Sequence, residues 1–230
     1  MKITFISDTH NKHAQVTSSL PGGDLLIHAG DMSSMGHKHE IQQFLKWFNG
    51  LNNYTHKIFI AGNHDWGFQE NPVMCKEQLD FYDKVTYLQD NLEVIGEDYE
   101  TAVKVYGSPW QPEFYNWAFN LPRMGWELGV MWNDIPMNTD ILVTHGPAWG
   151  QLDTVVGQGV PLGCELLAER IKVVKPKIHV CGHIHTGYGY KFVDGTHYFN
   201  AAVLDEMYTF TQKPMTVEWD PETNELEFVD

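Results

Sequence analysis

Residues 178–185 read Ile178-His179-Val180-Cys181-Gly182-His183-Ile184-His185. An apolar run ends at a glycine, and two histidines follow two positions apart. In extended chain residues i and i+2 point to one side, so His183 and His185 are expected to face a common centre. On a helix the same spacing would turn them nearly opposite ways. Two histidines and a cysteine leave open a metal site, a thiol centre or an accident of packing. What decides is whether other segments end in the same way.

Four do. Apolar strands are predicted over residues 3–6, 25–29, 57–61 and 141–143, and each runs into a polar cluster. The clusters are Ser7-Asp8-Thr9-His10, Gly30-Asp31, Gly62-Asn63-His64-Asp65 and Thr144-His145-Gly146-Pro147. In open α/β sheets the carboxyl edge of the strands is where sites are built. Between the second and third strands, Ile41, Phe44, Leu45 and Phe48 recur with helical period, and residues 165–173 read the same way. Strand, helix, strand with buried runs predicts parallel βαβ units. Residues 92–95 and 103–106 read as shorter, antiparallel strands. Residues 188–193 and 196–199 form a hairpin around Asp194-Gly195, and 216–219 pairs with 226–229. The expectation is an α/β protein with two sheets packed face to face, helices outside, in a single domain over residues 1–230.

The candidate ligands are Asp8, His10, Asp31, Asn63, His145, His183 and His185. That exceeds what one four-coordinate ion needs and suits two ions with a shared carboxylate. No thiolate joins the set, which argues against a structural zinc site. Cys181 reads as a small buried apolar residue.

Composition narrows the substrate. The formal net charge is −15 and there are only two arginines, Arg123 and Arg170, so an extended grip on a nucleic-acid backbone is not expected. A small anionic substrate fits if metal cations supply positive charge locally. Three widely spaced cysteines and a short apolar N-terminal run point to a reducing compartment, with no membrane span and a cytoplasmic location.

The ordered set DTH, GD, GNHD, THGP and GHIH resembles the calcineurin-like metallophosphoesterase superfamily. The phrases PGGDLLIHAGD, VYGSPWQPEFYNWAFN and PKIHVCGHIHTGYG are similar to its small metallophosphoesterase-domain proteins of the fetal-brain type and their microbial relatives. The resemblance implies a four-layer α/β/β/α sandwich of two mixed sheets with a dinuclear metal site at strand C-terminal ends. It implies that Asp8, His10 and His185 hold one metal, that Asn63, His145 and His183 hold the other, and that Asp31 bridges. It places His64 beside the leaving group, so Asp31 and His64 are the catalytic pair. The implied activity is phosphoester hydrolysis by metal-activated hydroxide, with phosphodiesters such as cyclic nucleotides as the subgroup's substrates. Manganese is the favoured ion; Fe, Zn, Ni and Mg also suit the donors.

Where the family's protein phosphatases carry GDxVDRG, this chain has Gly30-Asp31-Met32-Ser33-Ser34-Met35-Gly36. The arginine that clamps a phosphomonoester is absent, which favours a diester. A phosphomonoesterase or protein phosphatase, a nuclease, and a non-catalytic scaffold are the alternatives. Asn63, His64 and Trp149 are the candidate substrate contacts. Trp110, Phe114, Tyr115, Trp117 and Phe119 suit either a cleft wall or packing. His28, His179 and His197 fall inside strand patterns and read as ordinary histidines.

Overall fold

Alternation along the strands decides the layers. In β1 (Lys2–Ile6), Ile3 and Phe5 enter one hydrophobic core and Ile6 enters another. The computed structural model, which describes residues 1–155, 157 and 159–229, repeats this in each central strand. Leu25 and Ile27 of β2 (Gly23–His28) face inward, and Leu26 faces out. β3 (Tyr54–Phe59) and β4 (Thr86–Tyr87) complete the parallel part of this sheet, whose order is β14 (Leu226–Phe228), β13 (Met215–Trp219), β1, β2, β3, β4. The tail strands β13 and β14 add to it antiparallel.

The second sheet has the order β11 (Gly189–Val193), β12 (Thr196–Asn200), β10 (Ile178–Cys181), β9 (Ile141–Thr144), β6 (Val103–Ser108), β5 (Asn91–Ile95). Its four middle strands are parallel and its edges antiparallel. Residues of both sheets share the central core, among them Phe5, Ile27, Val105, Val143, Val180 and Phe199. A short pair, β7 (Gln111–Pro112) and β8 (Asn120–Leu121), stands apart.

Helices cover the outer faces. α2 (Lys38–Asn49) buries Ile41, Phe44, Leu45 and Phe48 against the first sheet, together with Val16 of α1 (His13–Val16), Phe68 of α3 (Trp66–Glu70) and Cys75 of α4 (Pro72–Leu79). α5 (Trp126–Asn133) and α6 (Glu165–Val174) bury Leu128, Trp132, Leu167 and Ile171 against the second. The α/β/β/α order is therefore present as expected. α1, α3, α4 and α5 were not legible beforehand, because each is short and its apolar residues lack a clean period; in α5, Trp126 and Val130 are exposed. Among the described residues no helix is long and apolar enough to cross a membrane.

His28, His179 and His197, read from the sequence as ordinary core or surface histidines, are all buried. His179 is 1% exposed, its Nε2 lies 2.8 Å from Thr144 Oγ1, and burial pushes its pKa down to about 3. The unfolded chain takes up a proton at this ring near pH 6.5, the ordinary pKa, and the folded chain does not. The unfolded state thus binds more protons between these values, and stability falls as pH drops from about 6.5 toward 3. Urea unfolding from about pH 7.5 to about pH 5 should show this ring adding roughly 2 kcal/mol in total to the acid loss, most of it below pH 6.5. His179→Gln should flatten the profile by that amount; an unaltered slope would remove His179 as its source.

Candidate metal centre

The strands β1, β2, β3, β9 and β10 each deliver a loop to one edge, and the loops lock together through their backbones. Asp8 N–H donates to Gly30 O (2.9 Å), His10 N–H to Asp31 O (3.0 Å) and Gly182 N–H to His145 O (2.9 Å). A contact at the site itself joins the two sheets: His183 N–H donates to both oxygens of the Asp8 carboxylate (3.1 and 3.0 Å). The side chains do not converge by the extended-chain route that their spacing suggested. Asp8, His10, Asp31 and His183 all have left-handed backbone, with φ of 55°, 38°, 56° and 65°. Each such residue costs about 1–3 kcal/mol unless its surroundings over-determine it. Here the chain kinks at the ligand itself. Two glycines permit the approach: a Cβ at Gly62 would collide with the Asp31 carboxylate, and one at Gly182 with the Asp8 carboxylate.

Backbone carbonyls fix the imidazoles. A carbonyl only accepts, so a ring nitrogen facing one carries the proton. His10 Nδ1 donates to Ser33 O (3.2 Å), His64 Nδ1 to Ser34 O (2.8 Å), His145 Nδ1 to Ala29 O (2.9 Å) and His185 Nδ1 to Asp205 O (2.9 Å). Every Nε2 is left toward the carboxylates. Three of them surround one oxygen, Asp31 Oδ2: His145 at 3.4 Å, His10 at 3.7 Å and His64 at 4.0 Å. His185 Nε2 lies 3.4 Å from Asp8 Oδ1, and His10 Nε2 lies 4.0 Å from the same atom. His145 Nε2 also lies 3.0 Å from Asn63 Oδ1.

These residues fit divalent cations. His10 Nε2 is buried with no hydrogen-bond partner, an orphan that a cation would satisfy. Ligand atoms of Asp8, His10 and His185 lie within 4.8 Å of one another, and so do those of Asp8, Asp31 and His145, and of His10, Asp31 and His64. Asp31 belongs to the second and third groups and shares Asp8 and His10 with the first. His183 is brought close but differently: its ring stands edge-on to His145 at 5.1 Å and joins none of these groups.

Charge follows the geometry. Burial pushes the Asp31 carboxyl up, but His145, His10 and His64 more than offset this and hold it well below the usual range. Burial also opposes ionisation of Asp8, and the hydrogen bond and charge of His185 overcome it. Burial lowers the partners too, yet the Asp31 charge raises His145 to about 9 and the Asp8 contact raises His185 to about 9. His10 and His183 follow burial, down to about 4 and about 3. Protons on His145 and His185 thus balance the two carboxylates, and cations bound there would replace them.

A cleft of about 450 Å³ opens above the cluster, with His10, Asp31, Asn63, His64, His183 and His185 in its floor. Phe114, Leu162 and Tyr208 stand in its walls with Glu113, Glu206 and Arg123. The aromatic segment divides. Phe114 takes a wall, Trp117 stacks on His64 (4.1 Å, 28°), Phe119 is core, and Tyr115 is exposed. Trp149, expected as a substrate contact, does not line the cleft: it is 40% exposed, with the Arg123 guanidinium 5.9 Å from its ring centroid.

Two supports escaped the sequence reading. Asp65 closes the GNHD motif and is buried. Its carboxylate accepts from Gly62 N–H (2.8 Å), Met32 N–H (3.3 Å), Ser33 N–H (3.0 Å) and Ser33 Oγ–H (2.6 Å). It binds the Asp31 loop to the Asn63 loop, and its place within the motif was the available signal. Asp205 orients His185 through a backbone carbonyl, which leaves no side-chain signature.

Residues 1–187 match the family model described as Calcineurin-like phosphoesterase. Human and mouse proteins, both named Metallophosphoesterase domain-containing protein 1, are 40% identical over 230 residues, spanning 93% of this chain and 69% of theirs. A UPF0046 protein of Caenorhabditis elegans is 34% identical over 243 residues, spanning 94% and 59%. Among solved structures, a Thermus thermophilus protein titled TT1561 shares the fold, with a TM-score of 0.66 at 12% identity over 100% of this chain and 98% of its own.

Asp65→Asn sets an amide N–H against donors that now meet a carboxylate. The change should cost about 2–4 kcal/mol in urea unfolding and lower the metal content of the purified protein. Unchanged stability and metal content would show that the two loops hold without it.

Proposed function

Because this chain belongs to the calcineurin-like phosphoesterase family, whose chemistry is metal-dependent phosphoester hydrolysis, we propose that it is a two-metal phosphodiesterase acting on cyclic nucleotides or similar small diesters. The observation that carries the diester reading is the charge of the cleft. Among the described residues, Arg123 is the only lysine or arginine in its lining, and its fork is occupied. Nη1 and Nη2 donate to Leu162 O, Nη2 also to Gly163 O (2.7 Å), and Nε lies 3.5 Å from Glu165 Oε2. Glu113 and Glu206 add negative charge to the walls. Among the described residues a phosphomonoester dianion finds no free lysine or arginine there, and two carboxylates. A diester carries one charge and two organic groups, which Phe114, Leu162 and Tyr208 can cover.

Asp8, His10 and His185 are assigned to one cation, Asn63, His145 and His183 to the other, and Asp31 to both. Bound there, the two cations supply Lewis acidity, lower the pKa of water and offset charge on the phosphoryl group. The Nδ1–H contacts on backbone carbonyls keep His10, His145 and His185 in the tautomer that offers Nε2. His64 presents Nε2 to the cleft while Trp117 holds its ring from behind. In its protonated form this nitrogen gives its proton to the departing alkoxide. The donors, nitrogen and oxygen without thiolate, suit manganese. Three free, widely spaced cysteines fit a reducing compartment, and we assign the cytoplasm.

Metal-depleted protein reloaded with Mn, Fe, Zn, Ni or Mg and given a chromogenic diester and its monoester should hydrolyse mainly the diester, and best with Mn. Dominant monoester turnover would replace this reading with a phosphomonoesterase, and no turnover with either would favour a scaffold. His64→Ala should slow a diester with a poor leaving group by roughly 10²–10⁴-fold while sparing an activated one. Full rate on the poor leaving group would deny His64 the proton transfer.

A further inference from the structure

Tyr208 belongs to a tight turn after β12, the same turn whose Asp205 carbonyl orients His185. Asp205 Oδ1 accepts from Met207 N–H (2.9 Å) and Thr209 N–H (2.8 Å), and Tyr208 N–H donates to Asp205 O (2.8 Å). The Lys12 ammonium donates to Tyr208 O from the loop that follows Asp8 and His10. Tyr208 itself has φ of 56°, a left-handed conformation that a bulky residue seldom adopts without such ties. The turn therefore holds the ring in one place. That place is over the metal cluster, edge-on to His10 at 4.8 Å and to His185 at 5.4 Å, in the cleft wall.

The hydroxyl sets this ring apart from four other tyrosines whose hydroxyls are engaged within the protein. The hydroxyls of Tyr54, Tyr87, Tyr188 and Tyr190 meet Thr4, Gln89, Lys213 and His197. Among the described residues the Tyr208 hydroxyl has no protein hydrogen-bond partner, and the residue is 41% exposed, so the oxygen is open to the cleft. A phenol fixed beside a cation site, donor unused, suits an anionic oxygen, and such charge-assisted bonds are the strong ones. His64 flanks His10 on another side, its ring 4.6 Å away, so the two donors bracket the space above His10.

We propose that Tyr208 contacts the substrate, its hydroxyl donating to a phosphoryl oxygen and its ring closing the His10–His185 side of the cleft. This rests on the phosphoesterase reading of the site. A role confined to packing over His185 would use the ring and not the oxygen, and Tyr208→Phe separates the two. In manganese-loaded protein, this variant should lose roughly 10- to 100-fold in kcat/KM on bis(p-nitrophenyl) phosphate and bind inorganic phosphate correspondingly more weakly by calorimetry, the worth of a hydrogen bond to a charged group. Metal content and melting temperature should match the parent. Equal kcat/KM and equal phosphate affinity in Tyr208→Phe would overturn the proposal. Wild-type protein that binds phosphate but turns over no ester would count against the activity, and the phosphate arm would still decide Tyr208.

Discussion

The structure depends on a single carboxylate oxygen. Asp31 Oδ2 is faced by the Nε2 atoms of His145, His10 and His64, which arrive from three different strand ends. Each ring is held at its far nitrogen by a backbone carbonyl, so none can turn away or exchange its tautomer without leaving that carbonyl unpaired. In the absence of cations the arrangement is balanced by protons on His145 and His185 and leaves His10 Nε2 unpartnered. Cations bound there would satisfy all of these at once. The fold serves to make that convergence possible: two sheets with parallel middles put five loops on one edge, and the Asp8 carboxylate, accepting from His183 N–H, ties one sheet to the other.

The convergence is bought with strain and close packing. Four ligand-type residues have left-handed backbone, and the glycines at 62 and 182 leave no room for a side chain. Nearby groups hold these kinks. Asp65 gathers Gly62, Met32 and Ser33, while Glu40 accepts from Ser34 N–H (3.1 Å) and His37 N–H (2.8 Å) and so joins the loop after Asp31 to the start of α2. Pre-organisation of this kind keeps ligands in place with little to rearrange when cations and substrate bind. Above the floor the walls are of another character: aromatic and aliphatic, edged by two glutamates, with the one arginine already occupied.

Much of this was legible in the sequence because strand period and ligand type repeat together. Five apolar runs each ending in Asp, Asn or His announced both the sheets and the edge, and the α2 stripe at Ile41, Phe44, Leu45 and Phe48 is the one buried. The reason offered for the i, i+2 pairs was not the operating one. Asp8 with His10 and His183 with His185 lie in kinked loops, and left-handed φ at a non-glycine leaves only a weak mark on the sequence, a preference for Asn, Asp and His. Trp149 followed a motif closely but stands outside the cleft, since proximity along the chain does not fix the direction of a side chain. Supports that act through backbone atoms, such as the Asp205 carbonyl on His185, were out of reach for the same reason.

The central claim is that Asp31 joins two cations in one centre. Electron paramagnetic resonance of the protein titrated with Mn²⁺ tests it most directly, because two manganese ions sharing a carboxylate are magnetically coupled and separate ions are not. The expected result is a coupled-pair spectrum that grows in as the second equivalent binds and is absent in Asp31→Asn. A spectrum of isolated manganese at full loading, or a coupled pair that survives in Asp31→Asn, would contradict it.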